Sequence, residues 1–295
     1  MVARPFGALV TAMATPFAAD GTVDLEAVAA LAEHLVDAGT EGLVVNGTTG
    51  ESPTTTDAEK ADVVRAVVAA VGERAHVVAG VGTNDTAHSA ELARQAVAAG
   101  AHGLLVVSPY YSRPSQEGLV AHVRAVADAG GLPVMLYDIP GRTGVEFRTE
   151  TLLRLAEHPH VVAVKDAKGD LQAATRVMSG SDLAMYSGDD GLLLPYLAVG
   201  GVGVVGVTTH LAAPAYARMV AAHDAGDVAA AREEHHALQP LVDAVMTRMQ
   251  GAVAVKVALH ALGHVPSPRV RLPLVEPEAI EREELLAAVH AAGLT

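Results

Sequence analysis

A short apolar run ends in a lysine and a polar loop in the stretch Val161-Val162-Ala163-Val164-Lys165-Asp166-Ala167-Lys168-Gly169. Such a run is typical of a strand that is buried on both faces of a parallel sheet. Burial disfavours the charged form of a lysine at the end of the strand. With a second cation nearby, here Lys168, a desolvated lysine becomes a neutral amine that attacks a carbonyl carbon and forms a Schiff base. Taken alone, the stretch favours this interpretation no more than a lysine that extends from a loop into water.

The same kind of apolar run occurs eight times and alternates with segments that have helical spacing. The runs are residues 8–14, 42–46, 76–81, 103–108, 133–137, 161–165, 183–187 and 202–208. Asp24 stands where a helix N-cap is expected, and Thr56 with Glu59 has the spacing of a capping box. Eight strand–helix units in this order predict a closed (β/α)₈ TIM barrel, and an open doubly wound sheet is the alternative.

The C-terminal part of the chain contains more helical pattern than the last barrel unit requires. The excess begins after Leu211, and Gly226 interrupts the pattern. We therefore expect the barrel to occupy residues 1–224 and a short helical appendage to occupy residues 225–295.

Composition excludes several classes of function. The chain has 295 residues and a net charge of −14, which disfavours binding to nucleic acid or to an anionic membrane surface. It has no cysteine, so disulfides, zinc–thiolate sites and cysteine catalysis are ruled out. Residues 7–14 resemble a signal peptide, but Thr11 and Pro16 interrupt them, and we predict a first buried strand there. We expect a cytoplasmic protein.

Groups suited to Schiff-base chemistry follow several of the predicted strands, and in a barrel the carboxyl ends of the strands form the active-site face. The Gly47–Glu51 turn contains two threonines and two glycines that are able to direct N–H and hydroxyl groups at a carboxylate. Tyrosine hydroxyls can move protons during imine chemistry, and an arginine suits a substrate carboxylate. The segments are Pro109-Tyr110-Tyr111, Tyr137-Asp138-Ile139-Pro140-Gly141-Arg142-Thr143-Gly144, Ser187-Gly188-Asp189-Asp190 and the strand that ends in Lys165. Turn, packing and surface roles explain each segment singly, but together they predict a Schiff-base site.

These segments, together with Ser108-Pro109-Tyr110-Tyr111 and Arg271-Leu272-Pro273, resemble the dihydrodipicolinate synthase family in order and register over nearly the whole chain. The family belongs to the pyruvate-dependent lyase and aldolase barrels. The resemblance implies that pyruvate, as a lysine Schiff base, condenses with L-aspartate 4-semialdehyde to give 4-hydroxy-tetrahydrodipicolinate. It also implies a place in diaminopimelate and lysine biosynthesis, no metal or organic cofactor, and a homotetramer built as a dimer of dimers.

The resemblance also implies a role for each site residue. Lys165 forms the imine, Tyr137 exchanges protons beside it, and Thr48 links Tyr137 to Tyr111, which reaches in from a neighbouring subunit. The remaining residues bind substrate: Thr49 and the main chain of Val205 contact pyruvate, and Arg142, with Gly188 close by, holds the carboxylate of the semialdehyde.

Two alternatives remain open at this point. Sialic-acid lyases and 2-keto-3-deoxy sugar-acid lyases are similar at the threonine turn and the lysine, but they generally lack an arginine in the Gly-Arg-Thr context. A pyruvate-binding paralogue without catalytic activity is a less favoured alternative, because the full set of candidate groups is present.

The chain departs from the family at a second site, at the dimer interface, where lysine-inhibited members carry a glutamate or a histidine. Here these positions hold His88 and Lys60, while Asn84 and Tyr110 match. Because a lysine repels a cationic ligand, we predict weak or absent inhibition by L-lysine. A second departure, Gly251-Ala252-Val253, has no mechanistic interpretation.

Three other motifs carry less weight. The Gly201–Gly206 segment matches a dinucleotide fingerprint but lies inside a strand pattern, where close packing explains its glycines. The fourteen histidines lack the spacing of a zincin motif. Lys256 is a second candidate for Schiff-base formation, but its surroundings have a helical pattern outside the barrel strands.

Overall fold

Eight parallel strands close into a barrel in the computed structural model, which describes residues 3–294. The strands are β1 Leu9–Ala12, β2 Gly42–Val45, β3 His76–Gly80, β4 Gly103–Val107, β5 Val134–Asp138, β6 Val161–Asp166, β7 Ala184–Ser187 and β8 Gly203–Gly206. Each strand pairs with the next one along the chain, and β8 pairs with β1 through Val205 opposite Val10. The (β/α)₈ barrel is confirmed, and the open sheet is wrong.

Helices alternate with the strands and surround the barrel. They are α1 Leu25–Asp37, α2 Asp57–Val71, α3 Thr86–Ala98, α4 Gln116–Gly130, α5 Pro140–Thr143, α6 Thr149–Leu155, α7 Leu171–Gly180, α8 Leu193–Ala198, α9 Thr209–Asp224, α10 Val228–Met246, α11 Gly251–Ala261 and α12 Ala279–Ala291. Three of these helices, α10 to α12, follow the last barrel unit. A domain boundary at residue 225 stays a prediction.

The predicted helix starts agree with the structure. The Asp24 side chain accepts a hydrogen bond from the Ala27 N–H at 3.0 Å, which satisfies a donor in the first turn of α1. Thr56 and Glu59 form both bonds of a capping box at the start of α2. These local signals fix where α1 and α2 begin, and therefore how long the loops before them are.

Apolar side chains of the strands fill the interior, as the runs of valine and leucine predict. Val44, Val78, Leu104, Leu136 and Val164 are all completely buried. Close packing explains Gly203 of the fingerprint-like segment, since a Cβ there would overlap the carbonyl oxygen of Ala8, the residue before β1. No helix among the described residues combines the length and the apolar character that a membrane span requires.

Candidate active site

Lys165 and Tyr137 lie side by side at the carboxyl ends of β6 and β5. The two residues are register partners on adjacent strands, and the Lys165 Nζ lies 4.3 Å from the centroid of the Tyr137 ring. Each is only 5% exposed. The fold therefore buries an amine against an aromatic ring, and this ring carries a hydroxyl of the kind that exchanges protons in imine chemistry.

Lys168 does not supply the unpaired second cation that the sequence suggested. Its Nζ lies 2.8 Å from Asp138 Oδ2 and donates to the Phe147 carbonyl oxygen at 3.1 Å, and both charged groups are buried. Burial alone would lower the pKa of Lys168, but the attraction of Asp138 outweighs burial and raises it. Burial also raises the pKa of Asp138 to about 6, against the opposing effect of Lys168. The charge of Lys168 is thus matched locally by Asp138.

The threonine turn that follows β2 has an unusual backbone. Asn46 and Glu51, at its two ends, have left-handed φ angles of 57° and 53°, which few residues other than glycine adopt. The turn is closed by hydrogen bonds from the Glu51 N–H to the Thr48 carbonyl oxygen at 3.1 Å and from the Thr15 hydroxyl to the Gly50 carbonyl oxygen at 2.8 Å. This geometry holds Thr49 buried and Thr48 partly exposed at the barrel mouth.

A cavity of about 390 Å³ opens beside this turn. Thr48, Tyr137 and Arg142 line it, so three of the predicted site residues share one space. Lys60 and His88 also line the cavity. A volume of this size accommodates a small organic acid.

Arg142 lies in the short helix α5, and its side chain is exposed. The loop around it is braced by a residue that no sequence signal assigned a function: the buried Ser108 hydroxyl at the end of β4 donates to the Thr143 hydroxyl at 3.0 Å. From the other side, the Arg113 Nε donates to the Gly144 carbonyl oxygen at 2.8 Å. These contacts fix the backbone next to Arg142 while leaving its guanidinium accessible.

Tyr111 is 90% exposed and has a left-handed φ of 70°. An exposed aromatic ring in this conformation is unfavourable for an isolated chain, because the backbone strain gains no burial in return. Tyr111 is therefore not packed into the site of its own chain.

The remaining predicted residues lie at the ends of β7 and β8. Val205 is completely buried in β8, and the Gly188 N–H donates to the Asp166 carbonyl oxygen at 2.7 Å. Asp190, which the sequence placed in a motif without a role, accepts hydrogen bonds from the Val207 N–H at 2.9 Å and the Thr208 N–H at 2.6 Å. Its buried carboxylate therefore ties the loop after β7 to the end of β8.

Lys256, the alternative Schiff-base candidate, lies in α11 and not at a strand end. Its Nζ is engaged with the Glu51 carboxylate and with the Arg269 carbonyl oxygen at 2.9 Å, and the side chain is 1% exposed. This ammonium has no open path to a substrate in the barrel mouth. Within residues 3–294, no group of three or more histidine, aspartate or glutamate side chains is placed to hold a metal ion.

Comparison with known proteins agrees with this geometry. The model of the dihydrodipicolinate synthetase family matches residues 5–292. The chain belongs to this family. It is 60% identical to 4-hydroxy-tetrahydrodipicolinate synthase 2 of Streptomyces coelicolor over 290 residues, which cover 98% of this chain and 96% of that protein.

Two solved dihydrodipicolinate synthases have the same fold over their whole length. The enzyme of Cyanidioschyzon merolae, solved with lysine bound, is 40% identical with a TM-score of 0.96, and the match covers 99% of this chain and 100% of that one. A structure described as the first monomeric dihydrodipicolinate synthase variant is 34% identical with a TM-score of 0.94, and coverage is 99% and 98%.

Proposed function

We infer that this member of the dihydrodipicolinate synthetase family is a Schiff-base lyase that condenses pyruvate with L-aspartate 4-semialdehyde to give 4-hydroxy-tetrahydrodipicolinate, in the biosynthesis of diaminopimelate and lysine. The observation that carries the inference is the pairing of a buried lysine with a tyrosine, next to the cavity that Thr48 and Arg142 line. Full-length relatives at high identity bear the corresponding name. No observation favours a sister aldolase or a paralogue without activity.

We propose that the reaction begins at Lys165. Its neutral Nζ attacks the keto carbon of pyruvate, and loss of water gives the imine. A proton then leaves the methyl carbon, and the resulting enamine carbon attacks the aldehyde carbon of the semialdehyde. The amine of that substrate next attacks the imine carbon, which closes the ring and releases Lys165 as a free amine.

Each of these steps moves a proton, and Tyr137 is the proposed donor and acceptor. Its ring is in contact with Lys165, and it shares the cavity with Thr48. Thr48 is proposed to connect it to Tyr111 of a second subunit, which accounts for the exposure and strained backbone of Tyr111. We therefore propose a homo-oligomer, at least a dimer and in the full assembly a tetramer.

Substrate carboxylates are assigned by position. Thr49, together with the main chain of Val205, is proposed to hold pyruvate, since both are buried at the mouth of the barrel. Arg142, with Gly188 close by, is proposed to hold the carboxylate of the semialdehyde, because its guanidinium is exposed on the cavity wall. Location in the cytoplasm stays a prediction from the sequence.

Borohydride trapping tests the chemistry directly. The protein is incubated with pyruvate, reduced, and weighed intact by mass spectrometry; one covalent adduct per chain is expected, and none in Lys165→Ala. Condensation is then assayed with aspartate 4-semialdehyde and with N-acetylmannosamine. An adduct that persists in Lys165→Ala overturns the assignment of the nucleophile, and turnover of the sugar alone overturns the assignment of the second substrate.

A further inference from the structure

The turn that carries Thr48 and Thr49 is fastened to the C-terminal helices by a buried ion pair. Glu51, the last residue of the turn, is 2% exposed, and its two carboxylate oxygens have different partners. The Lys256 ammonium, 205 residues away in α11, donates to Oε1, and the Arg271 N–H donates to Oε2 at 2.8 Å. Both oxygens are thus held by residues of the C-terminal segment, which follows the eighth barrel unit.

An aromatic ring from the N-terminal part of the chain completes this contact. The Lys256 Nζ lies 3.9 Å from the centroid of the Phe17 ring, and the Arg271 guanidinium carbon lies 4.4 Å from the same centroid. Two cations against one ring gain attraction from its π electrons and shield the Glu51 carboxylate from water. The ion pair therefore sits in a closed environment, where its geometry is well defined.

The C-terminal segment also forms hydrogen bonds with the residues that follow the turn. The Arg271 guanidinium donates to the Thr54 carbonyl oxygen at 2.8 Å and to the Glu59 carboxylate at 2.6 Å and 3.0 Å. It donates in addition to the Gly21 carbonyl oxygen at 2.9 Å. The stretch from Glu51 to α2 is thus held at several points from one side.

The opposite side of the same turn faces the barrel mouth. The Glu51 N–H donates to the Thr48 carbonyl oxygen, so a displacement of Glu51 would also displace the backbone that carries the threonines. The left-handed φ of Glu51 costs conformational free energy, and it persists only while its surroundings enforce it. When one of the partners of Glu51 is lost, the turn is able to relax to a less strained backbone.

We propose that Lys256 and Glu51 are positioning residues of the pyruvate site, through which the C-terminal helices hold the threonine turn in the conformation that binds the pyruvate carboxylate. This proposal rests on the proposed function. A purely structural role predicts lower stability with unchanged substrate affinity, because removing one partner leaves an uncompensated buried charge. The two roles therefore differ in what happens to the KM for pyruvate.

The test compares variants that keep or remove the charge. Lys256→Met keeps the length of the side chain but removes the ammonium, whereas Lys256→Arg keeps a cation. Glu51→Gln keeps the shape of the anion and weakens the bonds from both partners. Arg4→Met is the matched control, since it breaks the ion pair with Asp224 at the N-terminal end of the barrel, where the Arg4 Nη1 lies 2.7 Å from the Asp224 carboxylate.

For each variant we would measure the KM for pyruvate, the KM for the semialdehyde, kcat at saturation, the rate of borohydride-trapped adduct formation and urea unfolding. Lys256→Met and Glu51→Gln are expected to raise the KM for pyruvate about tenfold, because the loss of one charge-assisted hydrogen bond typically has an effect of this size. The KM for the semialdehyde should stay within about twofold, Lys256→Arg should recover most of the affinity, and Arg4→Met should leave both KM values unchanged.

An unchanged KM for pyruvate in folded Lys256→Met and Glu51→Gln overturns the proposal, as does an equal rise in Arg4→Met. If Lys256→Met does not fold, Glu51→Gln decides by the same criterion, with Lys256→Arg as the charge-retaining reference. A wild-type protein that forms no pyruvate adduct would instead refute the proposed function, and the two failures are thus distinguishable.

Discussion

Lys165 and Tyr137 face each other as register partners on β6 and β5, with the Lys165 Nζ 4.3 Å from the Tyr137 ring centroid. Lys165 has a second register partner, Tyr186 in β7, but the Tyr186 hydroxyl donates to the Gly7 carbonyl oxygen at 2.9 Å near the start of the chain. Lys165 therefore has a tyrosine as register partner on each side, but the two hydroxyls have different surroundings.

This difference predicts distinct effects of removing each hydroxyl. Tyr137→Phe keeps the ring against Lys165 but removes the proposed proton carrier, so kcat should fall by about 10²–10⁴-fold, the usual contribution of general acid–base catalysis. Steady-state turnover and the rate of adduct formation measure the effect. Tyr186→Phe is the control and should retain turnover, with a small loss in urea stability. Equal losses in the two variants would contradict a catalytic role for Tyr137.

Arg142 is predicted to act on the second substrate and not on the first. Arg142→Ala should raise the KM for aspartate 4-semialdehyde by about 10–100-fold, since it removes charge-assisted bonds to a carboxylate. Pyruvate adduct formation should be unaffected. Arg142→Lys keeps the charge but loses the planar fork, so an intermediate KM is expected. A parallel loss of adduct formation in Arg142→Ala would place the arginine at the pyruvate carboxylate instead.

Tyr111 is predicted to act across a subunit boundary. Tyr111→Phe should lower turnover without abolishing the pyruvate adduct, because the proton path is damaged while the nucleophile is intact. Tyr110→Phe, one residue earlier, is the matched control. Sedimentation at the assay concentration should show an oligomer. Full turnover in Tyr111→Phe, or full activity of a monomer, would refute the contribution from a second subunit.

The sequence was sufficient to predict the barrel and the residues at its mouth, because both follow from local patterns. Apolar runs and caps mark each element, and barrel topology brings the ends of separate strands such as β2, β5 and β6 to one face. The same patterns hold no information on which distant charges meet. The pairing of Lys168 with Asp138 and of Lys256 with Glu51 depends on side-chain packing between elements, which only the folded structure shows.

The outer part of the cavity bears on inhibition by L-lysine. The Lys60 Nζ is buried and donates to the Thr55 carbonyl oxygen, and burial lowers its pKa. The Asp57 carboxylate lies 2.9 Å from His88 Nε2 and partly offsets the positive charge of Lys60. Since Asp57 is already engaged, a cationic ligand finds no unpaired carboxylate there.

We therefore expect L-lysine to inhibit weakly or not at all. Steady-state rates at increasing L-lysine measure this, and an inhibition constant in the micromolar range would contradict it. Lys60→Gln removes the repelling charge and should strengthen whatever inhibition exists. His158→Gln, at a histidine that pairs with Asp128 on the surface, is the control and should leave the response to L-lysine unchanged.

His210 gives the protein a predictable sensitivity to acid. Its Nε2 accepts a hydrogen bond from the Ala14 N–H at 3.0 Å, so its proton resides on Nδ1, which donates to the Val207 carbonyl oxygen at 2.7 Å. Burial lowers the pKa of His210 from 6.5 to about 4, so the folded state keeps the ring neutral where the unfolded chain is protonated. Its contribution to stability is therefore complete above about pH 6.5 and is lost as the pH falls toward about 4.

A difference of this size corresponds to about 3 kcal/mol of unfolding free energy across that interval. The buried Asp138 has the opposite slope at the low end, because a raised carboxyl pKa makes the folded state bind the proton more readily. A comparison with His210→Gln removes this background, since the glutamine amide can donate and accept but does not titrate. Urea unfolding between about pH 7 and about pH 4 should show a steeper loss of stability in the wild type than in His210→Gln. Parallel curves would mean that His210 binds its proton equally well in the folded and unfolded protein, which would contradict the prediction.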